Sequence, residues 1–162
     1  MRYSYPCLIE RDLDEARASG REAYSVTFRD VEPAITGARS WPEAVDMAGD
    51  CLGVALGFYV NDDQDLPLPS SPLHEEVMIS VAPLVAAKLA VYAAMREQGM
   101  SRASLAERLE MDHESVGKLL DPRFRTHLTI VERALAVVGR ALVVEDCPVA
   151  PPPEPVGVAA EA

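Results

Sequence analysis

The chain has 162 residues and a mass of 17.6 kDa, with 49% hydrophobic and 25% charged side chains and a mean hydropathy of +0.02. That composition is globular, enough for one ordinary domain or two small ones, and it excludes wholesale disorder. The formal net charge of −11, from 15 basic and 26 acidic residues, argues on its face against nucleic acid as a partner.

In chain order, Tyr3–Ile9 reads as a strand, and Pro6 suggests an edge position for it. Residues 10–22 are charged and turn-like, with Gly20 near their end. Tyr24–Phe28 alternates apolar and polar residues, as a half-buried strand does. Ala34–Thr36 can close a hairpin with it. Ser40-Trp-Pro-Glu43 is a helix start: Ser40 caps, Pro42 is tolerated in the first turn, and Glu43 reaches back to the cap amide. The helix is predicted to run to about Tyr59. Ala44, Met47, Ala48, Cys51, Leu52, Ala55, Leu56 and Tyr59 form its apolar face. Asn61–Asp63 ends it, and Leu66–Pro72 follows as an extended connector that proline keeps out of helix. Val77–Val81 is a last strand. The order β-β-β-α-β sets one helix on a small sheet.

The period then changes. Leu84–Gln98 is alanine-rich and amphipathic, and Gly99 suits the C′ position. Ser101 caps a short helix through Leu109. Asp112 caps another, His113 to Leu120, which Pro122 keeps from continuing. Thr126 or Thr129 opens a last helix ending near Gly139, and Ala141–Val144 is a short strand or a docking segment. The stretch from Pro148 onward is proline-rich and reads as a disordered tail.

No window approaches the ~18 apolar residues of a membrane span. Met1–Pro6 opens no apolar leader with a cleavage site. Cys7, Cys51 and Cys147 are too widely spaced for a disulfide framework or a zinc site, and a cytoplasmic location is expected.

The acidic charge is unevenly spread. Residues 1–81 hold 6 basic and 15 acidic side chains, a net of −9. Residues 82–144 hold 9 and 7, a net of +2, and residues 145–162 hold four acids and no base. An acidic first part can steer toward a basic partner. It is equally what an ordinary solvated surface looks like. A net of +2 is weak for DNA binding by a single copy, so clustering or dimerisation has to compensate.

The most informative stretch is Ser101–Leu120. Leu105 and Leu109 bury on one helix, Val116 and Leu119 on the next, and Ala106 is small where the two cross. A turn at Glu110–Asp112 joins them. This resembles the helix-turn-helix of the phage-repressor class (Cro/C1, or Xre), whose second helix enters the major groove by its N-terminal end. Carried over by position, His113, Glu114, Ser115 and Lys118 face the groove. Arg102 sits where a phosphate contact is usual, and Arg123 and Arg125 follow the recognition helix near the DNA backbone. Gly117 lowers helix propensity and Glu114 is acidic, which bears on sequence preference. A plain helical bundle with no nucleic-acid role is the other interpretation of the same spacing.

The first part has a resemblance of its own. Tyr24-Ser-Val-Thr-Phe-Arg-Asp-Val31, then Thr36, then Ser40-Trp-Pro-Glu-Ala44 resembles the HicB antitoxin family. That family's pattern there is Tyr-x-Val-x-Phe-Pro-Asp-Leu-Pro-Gly, a threonine, and a capped helix with Glu-Ala. The connector at 66–72 matches in kind and place. Residues 82–99 resemble the first helix of those members with a helix-turn-helix. The resemblance covers roughly residues 1–144. Arg29, Glu32 and Pro33 stand where the family has Pro, Pro and Gly, and segment 10–22 looks longer than usual.

The resemblance implies an α+β protein. A partial RNase H-like domain spans residues 1–81, with the connector 61–73 inside it. An all-α helix-turn-helix domain for DNA binding and dimerisation spans 82–144, and a disordered acidic tail spans 145–162. It implies a type II antitoxin that masks a small basic RNA-cleaving toxin, HicA, and as a homodimer or tetramer represses its own operon by binding operator DNA. Within the matching segment, Tyr24, Phe28, Asp30 and Glu32 are the candidate toxin contacts. Trp41 is a candidate anchor too, though a helix-start aromatic more often packs onto the sheet. A stand-alone bacterial transcription regulator, with a ligand-binding or oligomerising first domain, is the alternative. An interaction protein without DNA binding is a third possibility.

Catalysis is not expected. Asp62, Asp63 and Asp65 cluster at a helix end, where solvated turn acids are commonplace. A two-metal site needs carboxylates converging from several elements. His74, His113 and His127 lack partners at metal spacing. No phosphate loop or nucleophile motif is present, so no cofactor and no metal are implied.

Overall fold

A computed structural model describes residues 3–145. Of the tail expected from residue 145, all but Glu145 lies outside the described residues. The elements are β1 (Ser4–Arg11), α1 (Leu13–Ser19), β2 (Tyr24–Phe28), β3 (Ile35–Ala38), α2 (Trp41–Asn61), β4 (Glu76–Ser80), α3 (Pro83–Glu97), α4 (Arg102–Leu109), α5 (His113–Leu120) and α6 (Leu128–Val137). The strands form one antiparallel sheet in the order β3-β2-β1-β4.

Two expectations for β1 and the segment after it are corrected. Residues 10–22 hold a helix, α1, rather than only turns. The Asp12 carboxylate accepts from the Glu15 N–H at 2.9 Å, and Gly20 ends the helix at φ 68°. No residue of α1 is buried, so it carries no apolar stripe to announce it. The second correction concerns Pro6. β1 is an interior strand, paired with β2 on one side and β4 on the other. Val81 donates its N–H to the Tyr3 carbonyl. By strand alternation, the Pro6 nitrogen therefore points toward the β2 side. There the paired register stops at Cys7↔Phe28, so the missing N–H interrupts no ladder bond.

The inner sheet face carries Tyr5, Cys7, Ile9, Val26, Phe28 and Ile79, all buried. α2 covers this face with Ala44, Ala48, Leu52, Ala55 and Leu56. Each buried Leu is worth roughly 1.5–3 kcal/mol over an exposed one. Met47, expected on that face, is exposed. The cap forms as expected, with the Ser40 hydroxyl accepting from the Glu43 N–H at 3.3 Å. The Glu43 carboxylate, however, reaches the Arg39 amide at 2.8 Å, one residue before the cap.

The connector after α2 is pinned rather than loose. Tyr5 Oη donates to the Pro67 carbonyl at 2.8 Å, and the Ser70 N–H donates to Asp30 at 2.7 Å. Arg29 follows β2 and Glu76 lies in β4, so their 2.9 Å ion pair crosses over β1. The Glu76 side chain is largely covered while Arg29 is part-exposed, and the Arg29 guanidinium, with the Leu73 N–H, holds the Glu76 carboxyl below its ordinary range.

The four helices α3–α6 pack on one another and on α2, and their buried side chains join one core with the sheet. Three glycines one turn apart run along the side of α2 that meets the end of β4 and the helical part. A Cβ at Gly49 would stand 3.2 Å from the Ser80 carbonyl oxygen. At Gly53 it would meet Val85, and at Gly57 the Pro122 ring at 3.4 Å. Tyr92 Oη donates to the Gln64 carbonyl at 2.7 Å, and Arg96 pairs with Asp65 at 2.8 Å. The last helix begins at Leu128 with His127 in the cap position and no side-chain cap bond, not at Thr126 or Thr129. Residues 141–145 form neither strand nor helix; Val143 and Val144 are exposed.

Candidate nucleic-acid interface

The α4–α5 pair is built from local signals. The Ser101 hydroxyl caps α4 by accepting from the Ser104 N–H at 3.1 Å. Glu110 turns the chain at φ 55°, a left-handed conformation uncommon for a non-glycine residue, and Met111 donates back to the Ala106 carbonyl. Asp112 then caps α5. Its carboxylate accepts both the N–H and the hydroxyl of Ser115, at 2.8 and 2.6 Å. Those donors hold the Asp112 carboxyl below its ordinary range. Leu105, Ala106, Leu109, Val116 and Leu119 are buried between the packed helices, as the spacing predicts, and Leu120 is buried with them. From α6, Arg133 donates to the Leu109 carbonyl at 3.1 Å and satisfies the end of α4.

The exposed side of α5 carries His113, Glu114 and Lys118, with Ser115 half-buried beside its cap. Lys118 and Glu114 form an i,i+4 ion pair at 2.5 Å, which raises the lysine pKa. Gly117 has open space around its missing Cβ. Past the helix, Arg123 grips the Asp121 carboxylate through Nε at 3.0 Å and Nη2 at 2.7 Å. This pairing lowers the Asp121 pKa. Arg125 is exposed. These six residues lie on one helix and the turn after it. Arg102 points elsewhere: its Nη2 donates to the Val60 carbonyl at 2.6 Å and to Asp63 at 3.0 Å, at the end of α2. Asp65 is held by Arg96, so two acids of the 62–65 cluster serve the contact between α2 and the helices. Among the described residues, no group of three or more His, Cys, Asp or Glu is placed to hold a metal.

Sequence reasoning overlooked Lys88. It is fully buried in α3. Its Nζ donates to three backbone carbonyls: Lys118 at 3.2 Å, Asp121 at 2.9 Å and Phe124 at 2.5 Å. Burial pulls its pKa down, and the nearby Asp121 pulls it partly back up. The signal was present. Lys88 lies four residues after Leu84 and four before Tyr92, on the apolar face of an amphipathic helix where a charge must find partners.

The four candidate partner contacts of the first part are placed differently from one another. Phe28 is in the core. Tyr24 is half-buried and meets Trp41 edge-on, ring centroids 6.4 Å apart, so Trp41 packs as a helix-start aromatic does. Asp30 is occupied by Ser70. Glu32 is exposed.

Residues 4–90 match a family model described as a HicB_like antitoxin of bacterial toxin–antitoxin systems. Antitoxin HicB 2 of Photorhabdus laumondii is 28% identical over 138 residues, covering 85% of this chain and 92% of the relative. Antitoxin HicB of Escherichia coli K12 is 29% identical over 119 residues, covering 74% and 86%. Antitoxin HicB of Pseudomonas fluorescens Pf0-1 is 34% identical over 101 residues, covering 62% and 69%.

Proposed function

Because this chain belongs to the HicB-like antitoxin family of bacterial toxin–antitoxin systems, we propose that it binds and neutralises a HicA-type RNA-cleaving toxin and represses its own operon. The toxin docks on the sheet unit, residues 1–81, whose net charge of −9 suits a small basic partner. The three-strand meander, the helix and the returning strand beside β1 support the partial RNase H-like assignment of this unit. No catalytic role is assigned to the chain itself.

Operator DNA is read by α4 and α5. The observation that carries this is the α4–α5 geometry: two capped helices closed on Leu105, Ala106, Leu109, Val116 and Leu119, with His113 and Glu114 exposed at the start of α5. His113 and Ser115 can meet base edges, and Lys118, Arg123 and Arg125 can meet phosphates. Glu114 can accept from a cytosine amine, and it also suits the positive end of the helix dipole. A small unit with this little net positive charge gains from binding as a dimer or tetramer on a palindromic site. No helix among the described residues is long and apolar enough to cross a membrane.

The test is to express the chain with the short reading frame beside its gene. Co-purification, growth arrest when the neighbour is expressed alone, and a shift of the DNA upstream of the pair are the expected results. No complex and no toxicity would overturn the antitoxin function, and no shift would overturn the repressor function.

A further inference from the structure

Lys88 sits where α3 meets the end of α5 and the turn that follows it. The last turn of α5 leaves carbonyls without helical partners, as every helix end does. Asp121 closes one of them, Gly117 O. Lys118 O is another, and Lys88 takes it. The same ammonium takes Asp121 O and Phe124 O, in the turn that carries Arg123 and Arg125. An ammonium has three N–H donors, and here each has a carbonyl acceptor. The side chain comes from α3, so three hydrogen bonds tie α5 and its following turn to a different helix. α5 is short and contains Gly117, which stiffens it little. Its orientation therefore depends on what holds its far end.

We propose that Lys88 is a positioning residue for DNA recognition: its buried ammonium fixes the direction of α5 and of the 121–125 turn, so that base-edge and phosphate contacts are made together. This role rests on the DNA-binding reading of α4 and α5. Lys88 touches no DNA in this arrangement. It acts on specificity rather than on charge. A base contact depends on placement to within a fraction of an ångström, whereas a phosphate contact tolerates movement.

The experiment compares the full chain with Lys88→Met, which keeps the apolar stem and loses every donor, and Lys88→Gln, which keeps two neutral donors. Each is titrated by fluorescence anisotropy with a duplex of the DNA upstream of its own gene and with a scrambled duplex of equal length, over a series of salt concentrations. Circular dichroism melts identify the variants that are folded at the assay temperature. The expected result is a ratio of upstream to scrambled affinity that falls about tenfold in Lys88→Met and less in Lys88→Gln, the loss of about one base contact. The salt slope stays as in the parent chain, because no phosphate contact is removed. Arg125→Ala is the contrast: it lowers the slope by about one and leaves the ratio nearly unchanged. A folded variant of either kind that keeps the parent ratio overturns the role. If the methionine variant does not fold, the glutamine variant decides. A parent chain with no preference for the upstream duplex overturns the DNA-binding reading and this role with it, and is recognised in the parent titration alone.

Discussion

Arg102, in the first turn of α4, donates from Nη2 to the carbonyl oxygen of Val60, in the last turn of α2, at 2.6 Å. A side chain of the helical unit thereby satisfies the end of the helix that covers the sheet, and the same nitrogen also binds Asp63. The positive charge suits the negative end of the α2 dipole. Arg102 thus joins the two parts of the chain in addition to any role at DNA.

This placement separates two substitutions that the sequence pattern treats alike. Arg102→Ala is expected to lower unfolding free energy by about 1 kcal/mol, since its guanidinium is part-exposed and the bond is charge-assisted. Lys118→Ala, on the exposed face of α5, is expected to leave stability within about 0.5 kcal/mol and to weaken DNA binding. Urea melts and anisotropy titrations check both. Equal stability losses would show that Arg102 adds nothing to the join.

Glu114 holds Lys118 at 2.5 Å and adds a negative charge to the same face. Glu114→Gln frees the lysine and removes the repulsion. DNA affinity at low salt is expected to rise, and the slope of log affinity against log salt to steepen by up to about one. An unchanged slope would mean that Lys118 meets no phosphate.

Two glycines are expected to respond to alanine in opposite directions. Gly117 has open space where a Cβ would go and lies inside a helix, so Gly117→Ala is expected to stabilise by up to ~1 kcal/mol. A Cβ at Gly49 would stand 3.2 Å from the backbone oxygen of Ser80, which cannot swing aside as a side chain does. Gly49→Ala is expected to destabilise by about 1–3 kcal/mol. Denaturation midpoints report both signs.

Stability is expected to fall above about pH 9. Burial pushes the Cys7 thiol from 9.0 up to about 12 and the Tyr3 phenol from 10.0 up to about 12. The folded chain then keeps protons that the unfolded chain has lost. Stability contributed by these groups is complete below pH 9 and is lost progressively as pH rises toward 12. Lys88, held below 10.5, acts with the opposite sign in the window just under that value. The raised groups outnumber it, since burial pushes Tyr5 up as well. Cys7→Ala is expected to shrink the loss between pH 9 and 10, where the Cys51 thiol, also pushed up by burial, still contributes. Melting temperatures from pH 7 to 11 measure this, and a flat profile would contradict the thiol's burial.

Much of this molecule is decided between residues that are neighbours along the chain. Ser40, Ser101 and Asp112 each accept from an amide three residues on, so their helices are written within one turn of chain. The burial of Leu105, Ala106, Leu109, Val116 and Leu119 follows from helical spacing alone. The family likeness was legible for the same reason, since it lies in short runs at Tyr24–Val31 and Ser40–Ala44. Tertiary folding makes β1 interior despite Pro6, because its two neighbours pair at Phe28, 21 residues after Cys7, and at Ser80, 76 residues after Ser4. It also decided the partners of Lys88, which lie 30 to 36 residues away, and of Arg102, 39 and 42 away. A buried charge must find acceptors. Which carbonyls it finds depends on how helices pack, and packing joins residues that no local pattern relates.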